Sequence, residues 1–464
     1  MKKYLFLGLF FVLLSSVSAQ NITGTWHGML KTHSIELRIV FHIEKSENGF
    51  SATLDSPDQG AKGLACNAVS FENPNLKIDM KNLGAVYEAV LRNDTLYGNF
   101  TQMGVKLPLD LTRHEVKKAA LPRPQEPKPP FPYYSEEVTF VNKADGVTLA
   151  GTLTLPKKEG KFPVVILISG SGAQNRDEEL MGHKPFLVIA DYLTRGGIGV
   201  LRFDDRGTAQ SSGDFKTATT FDFSKDVEAA FNFLLTRNDV DKKKIGLIGH
   251  SEGGVIAPMV AARNNNVVFI VLLAGTGVRG DKLLLMQTEA IGKASGMSEA
   301  DLEKTMKINA GAYDLVLKSE NTEKLKSELK AYFTETMSGA LAVIPPEQKE
   351  AQLHAMTEQL ASPWMQYFIR YNPIPALEKV KCPVLALNGS KDTQVPPKEN
   401  LSAIKKALET GGNKNFKTVE QQGLNHLFQE CESGSPAEYA RIEQTFSPKA
   451  LEEIWKWIKG ILKQ

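Results

Sequence analysis

The pentapeptide Gly249-His250-Ser251-Glu252-Gly253 holds one hydroxyl between two glycines, directly after the apolar run Ile-Gly-Leu-Ile at residues 245–248. A serine in that setting sits on a tight strand-to-helix turn with its hydroxyl raised above the sheet edge. Glycine on either side removes Cβ atoms that so close a turn would crush. The helix expected to begin at Glu252 aims its N-terminus at the hydroxyl and favours negative charge developing there. That is the chemistry of a nucleophile attacking a carbonyl.

Such a serine needs a base to take its proton, and the base needs an acid to orient it. His426, in Leu424-Asn425-His426, follows the last expected strand and is the candidate base. Asp392, in Asn388-Gly389-Ser390-Lys391-Asp392, leaves the strand before that one and is the candidate acid. The order serine, acid, histidine is the one that accompanies a G-x-S-x-G turn on a parallel sheet. Asp204 and Asp205 precede the serine and read as a structured turn, with Arg206 pairing to a carboxylate. His250 should point into the fold, and His354 falls in a helical segment. His183 precedes the serine and is a candidate for lining the substrate pocket.

A developing oxyanion needs two backbone donors. One is the N–H of Glu252, the residue after the nucleophile. The other belongs to the loop Ser169-Gly170-Ser171-Gly172, where Ser171 is the first choice and Gly172 the near alternative. Arg176 and Asp177 should brace this loop, pairing with each other or with the turn at 204–206. No metal or cofactor is called for. His27, His33 and His42 lack ligand spacing, and Cys66, Cys382 and Cys431 are too sparse for a disulfide framework or a zinc site.

The elements that must hold these groups are strands and helices in alternation. The apolar runs at 163–169, 198–203, 244–250, 267–274 and 381–390 read as buried strands. Helical patterns separate them, which is the pattern of a mostly parallel, helix-covered sheet. Residues 137–142 and 147–155 read as an opening hairpin. Between about 276 and 375 the strand pattern stops and a helical insertion takes its place. Trp364 and Phe368 in this insertion are candidates for lining the acyl pocket.

Ahead of residue 120 the chain reads as all β. Ile35, Leu37, Ile39, Phe41 and Ile43 alternate along one strand face. Six prolines within 121–134 favour an extended connector. The expected organisation is therefore a leader at 1–19, a β-rich accessory domain at 20–116, a proline-rich linker at 117–134 and a catalytic domain at 135–464. The leader reading rests on Lys2 and Lys3, a short apolar run and small residues before Gln20. It implies a secreted or periplasmic protein with no membrane span after cleavage. A formal net charge of +2 gives no ground for a nucleic-acid partner. The expected partner is a small-molecule or glycan-linked ester.

Residues from about 135 onward resemble an α/β-hydrolase. The resemblance rests on Ser169-Gly170-Ser171-Gly172, Arg202-Phe203-Asp204-Asp205-Arg206-Gly207, the Ser251 pentapeptide, Asn388–Asp392 and Asn425-His426-Leu427-Phe428, which fall in that family's order. Ser169 stands where the wider family commonly has histidine. The chain is similar to secreted bacterial serine esterases near the dienelactone hydrolases and acyl-peptidases. That resemblance implies an α/β-hydrolase fold with a helical cap, plus a small all-β N-terminal domain. It also implies a carboxylic ester hydrolase working through an acyl-serine intermediate. Two other readings stand beside it: a serine peptidase of the acyl-peptide or prolyl type, and a carbohydrate-binding protein with secondary hydrolase activity.

Overall fold

The computed structural model describes residues 21–31, 36–46, 49–59, 61–102, 104–116, 121–342 and 346–463. The leader at 1–19, His33 and Ile35 lie outside the described residues. The chain forms two compact units that part near residue 117.

The first unit is a closed antiparallel barrel. Its strands are β1 (Gly24–Lys31), β2 (Glu36–Ser46), β3 (Gly49–Ser56), β4 (Ala61–Ala65), β5 (Ala68–Glu72), β6 (Asn75–Met80), β7 (Ala85–Arg92), β8 (Thr95–Gln102), β9 (Val105–Pro108) and β10 (Leu111–Thr112). The ring runs β10-β1-β2-β3-β5-β6-β7-β8 and closes through β8 pairing with β10, with β4 and β9 on its flanks. Closure leaves the ring no open edge to template another chain. Alternation puts Leu37, Ile39, Phe41 and Ile43 of β2 inside, against Trp26, Tyr87 and Phe100. Asn93 and Asp94 adopt left-handed φ angles of 48° and 57° between β7 and β8, as a two-residue hairpin turn of this twist requires. His42 is held by Asp55 at 2.9 Å and Thr25 at 3.2 Å, so its ring serves the strand surface.

The second unit opens with the antiparallel hairpin β11 (Tyr134–Asn142) and β12 (Val147–Leu155). It continues through β13 (Phe162–Ile168), α1 (Pro185–Arg195), β14 (Gly199–Phe203), α2 (Thr220–Thr236), β15 (Val240–His250), α3 (Gly253–Ala261) and β16 (Ile270–Leu273). Seven helices follow among the described residues: α4 (Gly280–Ala294), α5 (Glu299–Lys318), α6 (Thr322–Thr336), α7 (Ser338–Ala342), α8 (Pro346–Ala361), α9 (Pro363–Arg370) and α10 (Ile374–Leu377). The sheet resumes with β17 (Val384–Gly389), α11 (Pro397–Thr410), β18 (Phe416–Gln421) and the closing helix α12 (Pro448–Ile461). The strand order is β11-β12-β14-β13-β15-β16-β17-β18. From β14 to β18 every pairing is parallel. This is an α/β-hydrolase sheet with a helical cap inserted between β16 and β17.

Both faces of this sheet are buried, which is why its strands read as continuous apolar runs. Along β13, Val164, Ile166 and Ile168 pack with Phe231 of α2 and Ile256 of α3. Val165 and Leu167 turn the other way, toward Leu193 of α1 and Ile454 of α12. Each such side chain contributes roughly 1.5–3 kcal/mol by leaving water. Helix α2 starts where Thr219 and Asp222 form a reciprocal capping box, which satisfies two otherwise unpaired backbone donors. The cap has its own core, built from Val316, Leu325, Leu329, Phe333 and Ile369.

The proline-rich stretch lies against the catalytic body over its described part. Gln125 accepts from the Thr445 amide at 2.6 Å and donates to the Phe446 carbonyl at 2.6 Å, while Arg123 donates to the Ile442 carbonyl. Among the described residues no helix is long and apolar enough to cross a membrane.

Candidate active site

Strand β15 ends at His250, and Ser251 takes a left-handed φ of 52° before α3 begins. That conformation costs a non-glycine residue on the order of 1–3 kcal/mol. It persists because the surroundings allow little else. The Ser251 amide donates to the Leu273 carbonyl at 2.8 Å, and the Gly254 amide donates to the Ser251 carbonyl at 2.9 Å. A Cβ on Gly249 would lie 1.9 Å from the Gly253 carbonyl oxygen, and one on Gly253 would lie 2.1 Å from that of Ile168. Both glycines are therefore steric requirements of the turn that presents the serine.

Asp392 and His426 come from the loops after β17 and β18. His426 Nδ1 lies 2.8 Å from Asp392 Oδ2. The other carboxylate oxygen accepts the amides of Gln394 and Val395, both at 2.8 Å, so three donors fix the carboxylate. With its Nδ1–H donated in that bond to Asp392, His426 has the Nε2 lone pair for proton transfer. Both side chains are almost fully buried. The loop carrying His426 is shaped by Asn425, whose side-chain oxygen accepts the amides of Leu427 at 3.0 Å and Gln429 at 2.9 Å.

The loop after β13 abuts the nucleophile turn: a Cβ on Gly170 would stand 3.2 Å from that of Ser251. The Gly170 amide is engaged by Glu178 at 2.6 Å, which leaves the amides of Ser171 and Gly172 as this loop's candidate oxyanion donors. Gly172 turns the loop at a φ of 103°. Glu252 occupies the N-cap position of α3, directly after Ser251. The loop is braced from below. Ser169 donates to Asp205 at 2.7 Å and the Gln174 amide does so at 2.9 Å. Arg176 grips Asp204 through Nη2 at 2.7 Å, and Arg202 pairs with Asp177. Arg206 pairs with Asp226 at 2.6 Å. Burial pushes the Asp205 carboxyl well above the ordinary range, against the bonds from Ser169 and Gln174.

The side chain of Glu252 escaped the sequence reading. Its Oε1 accepts Thr220 at 2.6 Å and the Trp364 indole at 2.8 Å. Burial raises this carboxyl, and hydrogen bonds from Thr220, Trp364 and Ser171 partly offset the rise. Trp364 thus ties α9 of the cap to the residue after Ser251, and it stacks on Phe368 at 5.2 Å. A cavity of about 910 Å³ lies on a neighbouring face of α9, lined by Thr219, Lys326, Tyr367 and Tyr371 among others. None of Ser251, Asp392 and His426 lines it. A narrower recess lined by Gly170, Asp205 and Glu252 reaches the nucleophile turn itself.

His183 requires a correction. It does not line a substrate pocket: its side chain is 0% exposed. Its ring nitrogens meet Thr445 Oγ1 at 3.1 Å and the Tyr439 carbonyl at 2.9 Å. The segment 439–446 folds over it, which position in sequence does not foretell. Burial lowers its pKa to about 4. The folded protein therefore keeps this ring neutral while the unfolded chain protonates it near pH ~6.5. The resulting stability is present above that pH and is lost as pH falls toward 4. Urea unfolding of wild type should weaken by up to ~3 kcal/mol across this window from His183 alone, and His183→Asn should lose less over the same range. Equal slopes for the two proteins would contradict a neutral buried ring.

The family model for X-Pro dipeptidyl-peptidases (S15 family) matches residues 145–423. The esterase EstD of Thermotoga maritima is 28% identical over 427 residues, covering 89% of this chain and 92% of its own. Among solved structures, the Pyrococcus furiosus esterase Pf2001 covers 74% of this chain and 98% of its own at 15% identity, with a TM-score of 0.44. Est1E of Butyrivibrio proteoclasticus, solved with ferulic acid, covers 70% and 100% at 16% identity, with a TM-score of 0.41. With the family match spanning more than half of the chain, and the nucleophile-turn geometry inside the matched region, the protein belongs to the X-Pro dipeptidyl-peptidase (S15) family.

Proposed function

We propose that the protein is an exported serine hydrolase that cleaves an acyl bond through a covalent acyl-serine intermediate. The observation that carries this reading is the 2.8 Å contact between His426 and Asp392, on two adjacent strand-end loops of the sheet whose β15 presents Ser251 in a left-handed turn. Ser251 Oγ attacks the carbonyl carbon as His426 Nε2 takes its proton. The amides of Glu252 and Ser171, or Gly172 in its place, receive the oxyanion. Collapse expels the alcohol or amine, which leaves with the proton from His426. Water then repeats the sequence on the acyl-enzyme and frees the acid. Asp392 holds the imidazole throughout. The leader-like residues 1–19 support export to the periplasm or beyond.

Two scissile bonds fit this chemistry. Family membership supports a peptide bond following an X-Pro pair, and it supports that reading more strongly than a carboxylic ester. The ester reading draws on the likeness to EstD along nearly the whole chain and on the motif likeness to secreted esterases. Both readings expect turnover of an aryl acetate, because a phenolate leaves more readily than an amine. An X-Pro anilide with a free amino terminus separates them. Turnover of the anilide supports the peptidase reading, whereas brisk ester turnover with an inert anilide leaves the ester reading. Inertness toward both sinks the hydrolase proposal.

A further inference from the structure

We propose that His250 is a standing imidazolium, paired with Glu178, that fixes the backbone beneath His426 and joins the three loops of the active site. It is a positioning residue for the hydrolase reaction proposed above and rests on that reading.

The argument starts from donors and acceptors. His250 Nε2 lies 3.0 Å from the carbonyl oxygen of His426. A carbonyl only accepts, so Nε2 carries a proton. His250 Nδ1 lies 2.9 Å from Glu178 Oε1. That same oxygen already accepts the Gly170 amide at 2.6 Å, as an ionised carboxylate does. Facing an ionised Glu178, which only accepts, Nδ1 donates as well, and a ring that donates from both nitrogens is cationic. Both partners are buried, His250 at 6% and Glu178 at 4% exposure. A lone buried charge would be costly, but a hydrogen-bonded opposite pair is tolerated.

The surroundings agree. The charged groups facing the ring are Glu178 from the loop after β13 and Asp392 from the loop after β17, and the titratable His426 lies beside it, its ring centroid 4.8 Å away and tilted by 45°. The small recess that His250 and Glu178 share is otherwise lined by apolar side chains: Pro185, Phe186 and Ile189 of α1, Leu273, Leu427 and Phe446. Burial opposes charging the ring, and the field and hydrogen bond of Glu178 outweigh it, so the His250 pKa is raised. Glu178 itself holds a left-handed φ of 50°, a strained placement that aims its carboxylate at two loops at once.

The pair touches each part of the site. Glu178 holds Gly170, next to the oxyanion amides. His250 directly precedes Ser251. Its Nε2 holds the backbone of His426. One ion pair thus sets the spacing of nucleophile, oxyanion donors and base, none of which it replaces. Neutralising it frees the His426 loop or the oxyanion loop by a fraction of an ångström, enough to slow the chemistry while the pocket still binds.

The test has a readout apart from activity. The full chain is labelled with nitrogen-15 in its eight histidines and titrated by NMR. One histidine should keep protons on both ring nitrogens above the ordinary histidine range. That signal should be missing from His250→Gln. A wild type in which every histidine carries a single ring proton at about pH 8 overturns the proposal, whatever the variants do. Glu178→Gln keeps an acceptor for Gly170 and removes the charge. It should lower kcat on the order of 10²-fold and leave KM within about twofold. An unchanged kcat in this variant also overturns the proposal. Fluorophosphonate labelling of the same wild-type sample keeps the two failures apart. A protein that does not label at Ser251 defeats the hydrolase reading. A protein that labels there, yet shows no doubly protonated histidine, defeats only the role given to His250.

Discussion

Ser251→Ala should lower turnover of an aryl acetate by on the order of 10³ to 10⁶ while the protein stays folded. The size of the loss follows from what alanine removes. It takes away the only atom that can form the acyl bond and leaves the rest of the site in place. The Cβ is kept, so the turn with its φ of 52° carries the same strain as before. The Ser251 amide still donates to Leu273, and Gly249 and Gly253 still admit the close backbone approach. Whatever activity remains comes from the oxyanion donors and from binding alone. Two measurements check it: kcat/KM for the ester, and the site of fluorophosphonate attachment by peptide mass spectrometry. Near-wild-type turnover, or a label on any other serine, removes Ser251 from its role.

How much of this was legible in the sequence depends on the range of the interaction concerned. The sheet strands were legible because both faces are buried and each strand is apolar throughout, as Val164–Ile168 is. The cap was legible as a place where that pattern stops. Ser251 was legible because its glycines are a local steric demand. Asp392 and His426 were readable as strand-end positions in the right order, but their 2.8 Å separation depends on β17 pairing with β18. His183 misled because closeness in sequence to the oxyanion loop says nothing about residues 439–446 closing over it. The Glu178–His250 pair spans 72 positions. Glu178 also stands in the acidic run Asp177-Glu178-Glu179, where no local pattern marks one carboxylate as buried. Trp364 stood out as a large aromatic in the cap, whereas its bond to Glu252 joins helices 112 positions apart. Local demands leave marks in a sequence, and partnerships made by the fold do not.

Asp392→Asn should cut kcat by about 10⁴-fold with little change in KM. The structure explains why so small a change does so much. The asparagine oxygen can go on accepting the Gln394 and Val395 amides, so the loop keeps its shape. Its nitrogen then faces His426 Nδ1, where the carboxylate oxygen stood at 2.8 Å. A donor in that place selects the tautomer with the proton on Nε2, the atom that must take the proton from Ser251. The imidazolium formed during attack also loses its counter-charge. Asp204, which is buried, and Asp205, which is partly buried, make the necessary comparison. Asp204→Asn breaks the pair with Arg176, which should cost about 3–5 kcal/mol of stability. Asp205→Asn loosens the bonds to Ser169 and Gln174 that hold the oxyanion loop. These two variants should show lower unfolding midpoints first and activity losses that track them. Asp392→Asn should show the reverse, a nearly normal midpoint with turnover almost gone. If Asp205→Asn silences a stably folded protein while Asp392→Asn remains active, the acid of the triad lies after β14, and the serine–acid–histidine order fails for this chain.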